Sequence, residues 1–295
     1  MRLLICTQAI DHNDPALGFF HRWVEEFTKC CEQVEVLCLR EGEHNLPKNV
    51  TVHTLGSGRI VRALQLLRYI VVFRKGYDAV FVHMNPEYLV VAGWLWRLRG
   101  KKIALWYTHK SVDLKLRIAE HFATFVFTAS KGSFRLESKK VEVVGHGIDA
   151  EFFSPDVKVP RSEHWLSVGR LMKSKRHDLA MRVAADVKKE LRIAGEGPER
   201  ERLKALAREL GTSVEFLGAL TQEQLRDEYR SAALLIHRSE TGSLDKVVLE
   251  ALLCDLPVDS TNSECKEIAA KGREYVRTHH SLSSLIPRIV EKLTV

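Results

Sequence analysis

The chain has 295 residues, 45% of them hydrophobic and 28% charged, with a formal net charge of +7. At roughly 100–200 residues per domain, that is enough for two globular domains with cores of their own. Eight prolines and 17 glycines are too few for a fibrous or disordered chain, and no apolar run reaches the roughly 18 residues of a membrane span.

The opening residues, Met1 to Gln8, hold too short an apolar stretch for a signal peptide and read as a first strand. A cytoplasmic protein is expected. The six cysteines (Cys6, Cys30, Cys31, Cys38, Cys254, Cys265) form no C-x-x-C pair, so reduced, buried thiols are expected rather than a zinc site or disulfides.

In chain order, short β-branched runs alternate with amphipathic helices. Strands are predicted at 2–8, 33–40, 50–55, 78–84, 102–108, 125–130 and 141–144. Helices are predicted at 17–31, 60–73, 86–98 and 112–121. Runs such as Ala79-Val80-Phe81-Val82 belong to parallel strands covered on both faces. The stretch from Phe152 to Ser162, with Pro155 and Pro160, interrupts the rhythm and is the best linker candidate. Strands then follow at 165–168, 191–194, 214–217, 233–237 and 257–258, and helices at 178–186, 198–210, 222–231 and 244–254. Thr221 and Gln224 form a capping-box pattern before the third of these helices. Two helical stretches, 264–278 and 282–293, close the chain.

This alternation predicts an α/β fold of two Rossmann-like domains facing a cleft. The expected division is residues 1–155, residues 156–278, and a final helix at 279–295 packing near the N-terminal domain. Ligands in such sheets bind beyond the carboxyl ends of the strands, so strand-to-helix turns are the places to look.

Four turns stand out. Gly18 lies where the first strand's loop opens into a helix, whose free amides favour anions, although a plain turn glycine would look the same. Arg170 follows the strand at 165–168, and Lys175 comes five residues later. A planar guanidinium and a mobile ammonium suit a diphosphate whose charge grows as it leaves; two surface cations at this spacing are also common. Gly195 and Gly197 open a turn suited to a phosphate or a base, with Pro198 at the expected first helical position. No P-loop follows. Asp245, Lys246 and Glu250 begin the helix at 244–254, and a carboxylate such as Glu250 could accept both hydroxyls of a ribose.

Taken in order, these segments resemble the group 1 retaining glycosyltransferases (glycosyltransferase family 4, GT-B fold). The resemblance runs over nearly the whole chain. It is carried by Leu17-Gly18-Phe19-Phe20, Trp106-Tyr107-Thr108-His109, Val144-Gly145-His146-Gly147-Ile148-Asp149, Val168-Gly169-Arg170-Leu171 with Lys175, Ala194-Gly195-Glu196-Gly197-Pro198-Glu199-Arg200, Val214-Glu215-Phe216-Leu217-Gly218, and Leu249-Glu250-Ala251 through Leu256-Pro257-Val258. It implies transfer of a sugar, with retention, from a nucleotide-diphosphate sugar to a glycan or lipid-linked acceptor, with no metal or cofactor. By the same resemblance Gly18 would admit the donor phosphates, Arg170 and Lys175 would hold the diphosphate, Glu250 would bind the ribose, and His109 would touch the donor sugar. Gly145 and Gly147 would shape a turn at the interdomain crossing.

Two departures matter. The first glutamate of the family's E-x7-E motif would fall at Gly242, and Ser243-Leu244-Asp245-Lys246 replaces the usual Gly-Phe-Gly-Leu, so Asp245 or Lys246 is expected to take over donor-sugar contacts if any remain. After Val258 the chain lacks the further strand and helix usual in the family, which abbreviates the donor domain.

Between Arg59 and Lys102 stand nine basic residues and two acidic ones, a surplus equal to that of the whole chain. With the aromatic residues among them, they make an anionic membrane surface or a lipid-diphosphate acceptor an expected partner, at the inner membrane face. Solvated helix faces would read the same way. Nucleic acid is not expected, for no recognisable module is present. A catalytically silent sugar-nucleotide-binding protein and a sugar-nucleotide epimerase remain alternatives. A dehydrogenase is disfavoured, because neither half opens with G-x-G-x-x-G.

Overall fold

The computed structural model describes every residue except Arg74 and Val295. Arg74, one of the nine basic residues above, therefore lies outside the described residues. The chain divides into two compact units: unit 1 is Met1–Gly147 together with the segment from Leu282 on, and unit 2 is Ile148–Ser281.

Unit 1 is built from β1 (Arg2–Ile10), α1 (Phe19–Cys30), β2 (Gln33–Glu41), β3 (Val50–Thr54), α2 (Arg59–Val72), β4 (Ala79–His83), α3 (Glu87–Leu98), β5 (Lys102–Trp106), α4 (Leu114–Phe122), β6 (Phe125–Thr128) and β7 (Val141–Val143). The seven strands form one sheet in the order β3-β2-β1-β4-β5-β6-β7, and each pairing is parallel. The continuous apolar strands have a simple cause. Leu3 and Ile5 of β1 enter a core on one face of the sheet, while Leu4 and Cys6 enter a second core on the other. Successive side chains of a strand point to opposite faces, so a strand buried on both has no polar positions.

Unit 2 contains β8 (Trp165–Val168), α5 (His177–Asp186), β9 (Leu191–Ala194), α6 (Arg200–Leu210), β10 (Val214–Gly218), α7 (Gln222–Ser231), β11 (Leu234–His237), α8 (Lys246–Leu253), β12 (Val258–Ser260) and α9 (Ser263–His279). Its five parallel strands run β10-β9-β8-β11-β12. The capping box before α7 is formed, with Thr221 accepting from the Gln224 amide and Gln224 returning the bond. The last helix, α10 (Leu282–Thr294), belongs to unit 1, where Leu285, Ile286 and Ile289 share a core with Phe20, Trp23 and Phe27 of α1.

Several boundaries differ from the sequence reading. The Phe152–Ser162 stretch lies inside unit 2, where Phe153 is buried and Arg161 donates to the carbonyls of Tyr229, Ala232 and Cys254. Prolines here mark a packed loop, not the crossing between units. Helix α6 starts at Arg200 with Glu199 as its cap, so Pro198 precedes the helix instead of opening it. The 264–278 stretch is broken at Gly272, whose φ of +74° no helix contains. All six cysteines are free; five are buried and Cys30 is half-buried, and burial raises the thiols, to about 11 at Cys31 and Cys38.

Candidate functional site

In unit 2 the strand order reverses between β8 and β11, and ligands of open α/β sheets bind at such a point. Two loops meet there. The loop after β8 carries Gly169, with φ of +146°, then Arg170, then a short turn at Lys173–Lys175. The loop after β11 runs from Arg238 to Asp245, the N-terminal cap of α8.

These loops are tied together side chain to side chain. Lys175 Nζ lies 2.8 Å from Asp245 Oδ2, Arg176 pairs with Glu240, and the Glu240 amide donates to the Ser174 carbonyl at 2.9 Å. Asp245 Oδ2 also receives His237 Nε2 at 2.8 Å, and Thr241 Oγ1 lies 3.3 Å from Asp245 Oδ1. Burial alone would raise the Asp245 pKa. The His237 hydrogen bond and the Lys175 charge outweigh it and hold the carboxyl well below the usual range. Arg170, by contrast, is exposed, and its guanidinium has no ion-pair or hydrogen-bond partner among the described residues. Of the two cations expected at this turn, one is anchored and one is available.

Gly195 and Gly197 pack tightly behind this loop. A Cβ at Gly195 would stand 2.0 Å from the Gly169 carbonyl oxygen, and one at Gly197 would stand 2.4 Å from that of Leu171. Their absent side chains let the β9 loop hydrogen-bond the β8 loop, as in Leu171 N to Glu196 O at 2.9 Å. Behind the same loop His177 is buried with its Nδ1 2.9 Å from Ser167 Oγ, and burial pushes its pKa down to about 4, so the ring is neutral.

Glu250 is buried within α8. Tyr229 donates to its Oε2 at 3.0 Å, and Lys246 Nζ lies 3.4 Å from Oε1, one helical turn away. Burial lowers the Lys246 pKa, with Glu250 opposing the shift. Lys246 and Glu250 are thus brought to each other, and Asp245 is brought to Lys175. Gly242, at the motif's missing glutamate, has a φ of +63°, a left-handed turn that an L-glutamate would adopt only with strain.

In unit 1, Gly18 caps α1. A Cβ there would stand 2.6 Å and 2.7 Å from the carbonyl oxygens of Asp14 and His12, so close backbone approach is what requires glycine. Strand β5 ends at Trp106, shorter than the 102–108 expected, which leaves His109 exposed on the following loop with its Nδ1 accepting from the Ser111 amide at 3.1 Å. A cavity of about 560 Å³ opens beyond the strands between α2 and α3, lined by Gln8, Arg59, Arg62, Glu87, Tyr88 and Lys115 among others. On its other side α2 exposes Val61, Leu64, Arg68, Val71 and Val72, spaced as one helix face, and α3 exposes Trp94 and Leu98. Among the described residues no helix is long and apolar enough to cross a membrane, and no group of three or more His, Cys, Asp or Glu could hold a metal ion.

Sequence reasoning missed His237, Ser260 and Tyr229. A histidine ending the apolar run Leu234-Leu235-Ile236 was the one available signal; the others are unremarkable until the chain folds.

Residues 162–293 match the family model described as glycosyl transferases group 1. The chain is 32% identical over 136 residues to the phosphatidylinositol N-acetylglucosaminyltransferase gpi3 subunit of Schizosaccharomyces pombe, covering 43% of this chain and 30% of that protein. It is 26% identical over 216 residues to the N-acetylgalactosamine-N,N'-diacetylbacillosaminyl-diphospho-undecaprenol 4-alpha-N-acetylgalactosaminyltransferase of Campylobacter jejuni, covering 63% of this chain and 58% of that one. These matches therefore span less than two thirds of the relatives' own lengths. The crystal structure of Anabaena HepE in complex with UDP superposes with a TM-score of 0.75 and 16% identity, covering 100% of both chains, which is a likeness of fold. The α/β class with two Rossmann-like domains is common to both.

Proposed function

We propose that this chain, whose residues 162–293 match the group 1 glycosyl transferase model, is a glycosyltransferase that moves a hexosyl-type sugar from a nucleoside-diphosphate donor to a glycan or lipid-linked acceptor, with retention at the anomeric carbon. One observation carries the reading: where the unit 2 strand order reverses, an exposed Arg170, with no ion-pair partner among the described residues, stands on the same loop as an anchored Lys175. In the reaction the bond from the sugar to the diphosphate breaks, the acceptor oxygen forms the new bond, and its proton leaves with the diphosphate. Negative charge grows on the departing group, and fixed cations aimed at it stabilise that change.

Within this reading Asp245 orients Lys175, Lys246 and Tyr229 fix the Glu250 carboxylate for the ribose hydroxyls, and Gly195 and Gly197 shape the phosphate loop. Gly18 and His109 serve the acceptor-side unit. No metal or cofactor is assigned a step. The Campylobacter jejuni relative is named for a diphospho-undecaprenol acceptor, and the basic, apolar face of α2 suits a cytoplasmic protein resting on an anionic membrane surface.

The test incubates the protein with a panel of nucleotide sugars and diphospho-lipid acceptors, reading products by mass spectrometry and anomeric configuration by NMR. A retained-configuration glycoside supports the proposal. Donor binding without turnover would favour a catalytically silent protein, a reading that Gly242 at the motif's glutamate position encourages. An epimerised donor formed without acceptor would mark an isomerase.

A further inference from the structure

His237 closes β11 at the strand reversal and is buried, yet both of its ring nitrogens are engaged by polar side chains. Nε2 lies 2.8 Å from Asp245 Oδ2, and Nδ1 lies 2.9 Å from the hydroxyl of Ser260, which ends β12. An ionised carboxylate only accepts hydrogen bonds, so Nε2 carries the hydrogen. The same Asp245 oxygen receives Lys175 Nζ at 2.8 Å. A continuous line of contacts thus runs from Ser260 through His237 and Asp245 to Lys175, crossing β12, β11 and the loop after β8, all within unit 2.

Lysine is a point charge on a flexible four-carbon stem. A lysine that must meet a diphosphate at one place needs a partner that is itself held still. Asp245 alone does not meet that need, because a carboxylate bonded only to the lysine would move with it. Thr241 Oγ1, at 3.3 Å, belongs to the same loop as Asp245, whereas the 2.8 Å bond from His237 comes from the end of β11 and supplies the fixed end.

We propose that His237 is a positioning residue of the diphosphate subsite: its Nε2 fixes the Asp245 carboxylate, which in turn fixes Lys175 Nζ, while Ser260 holds the ring orientation. The proposal rests on the reading of Lys175 as a diphosphate ligand.

The test measures dissociation constants for UDP, GDP and ADP and for the matching monophosphates by calorimetry. The proteins are wild type, Lys175→Ala, His237→Leu, His237→Gln and the double variant H237L/K175A. For the pair that binds tightest, H237L should weaken the diphosphate about tenfold and leave the monophosphate unchanged. H237Q, whose amide nitrogen can still donate to Asp245, should restore most of the loss. In the K175A background H237L should add less than about a twofold effect, because the two residues act through one contact. Equal weakening of diphosphate and monophosphate, full additivity with K175A, or failure of H237Q to rescue would each overturn the proposal. If K175A itself leaves diphosphate affinity unchanged, or no nucleotide binds, the underlying reading of the site fails, a separately visible result. Should H237L not fold, Ser260→Ala tests the same line from its far end: a smaller loss confined to the diphosphate supports the proposal, and no diphosphate-specific loss overturns it.

Discussion

Trp23 and Gly147 stand 124 residues apart in sequence, and the indole Nε1 of the first donates a 2.9 Å hydrogen bond to the carbonyl of the second. The same ring fills the space beside Gly147: a Cβ there would lie 2.4 Å from its Cζ2, at a backbone φ of +65°. Gly147 is the residue at which the chain first leaves unit 1, so the crossing is locked by the core helix α1. Gly147→Ala is expected to lose about 1 kcal/mol to the left-handed backbone and a further 1–3 kcal/mol or so to overpacking against the indole. Urea unfolding checks this, and an unchanged midpoint would remove the lock.

Arg170→Ala should weaken nucleoside-diphosphate binding while leaving the unfolding midpoint in the absence of nucleotide almost unmoved. The guanidinium is exposed and has no ion-pair or hydrogen-bond partner among the described residues, so its loss breaks no such contact. A charge-assisted bond to phosphate is worth about 1.5–3 kcal/mol, or roughly 10- to 150-fold in affinity. A thermal-shift titration reads both quantities together. A large drop in the nucleotide-free midpoint would place Arg170 in the fold instead of the site.

Acid should destabilise unit 2 well above the range where carboxylates titrate. Burial pushes His177 and His280 from 6.5 down to about 4. Between those values the unfolded chain binds protons that the folded chain refuses. Stability therefore rises with pH across the window and falls as pH drops below about 6.5. The loss by pH 5 is about 2 kcal/mol for each ring. His177→Asn should flatten the pH 5–7 slope of unfolding free energy, and an unaltered slope would refute the buried, neutral assignment.

The outward face of α2 should carry binding to anionic vesicles. Ile60 is 77% and Leu64 63% exposed, and Arg59 and Arg68 are exposed beside them. Scattered exposed apolar residues are ordinary, but a stripe of them along one helix face is a contact surface. Leu64→Glu with Val71→Glu should abolish flotation with phosphatidylglycerol vesicles at low salt and leave the nucleotide-induced thermal shift intact. Vesicle binding that survives the double substitution would move the surface elsewhere.

Much of the architecture was legible in local sequence. Ala79-Val80-Phe81-Val82 announces a strand buried on both faces, and Thr221 with Gln224 announces the start of α7, because each signal involves neighbours in the chain. The boundary between units was not. Pro155 and Pro160 suggested a linker, whereas the crossing falls after Gly147, where the deciding contact is Trp23 in α1. The site divides the same way. Arg170 and Lys175 could be singled out from their place after a strand. That Lys175 is held by Asp245, and Asp245 by His237, depends on β8 and β11 lying side by side, a pairing of segments some 70 residues apart.

By itself, then, the chain's order of residues determined the repeating strand-and-helix pattern, the parallel sheets and the turns that carry cations, since hydrophobic period and capping are properties of adjacent positions. Tertiary structure alone decided which cation is anchored and which is exposed, why Gly195 and Gly197 must lack side chains, and which histidine stands behind the loop after β8. Those outcomes are set by strand order and register, which bring distant residues within hydrogen-bonding distance.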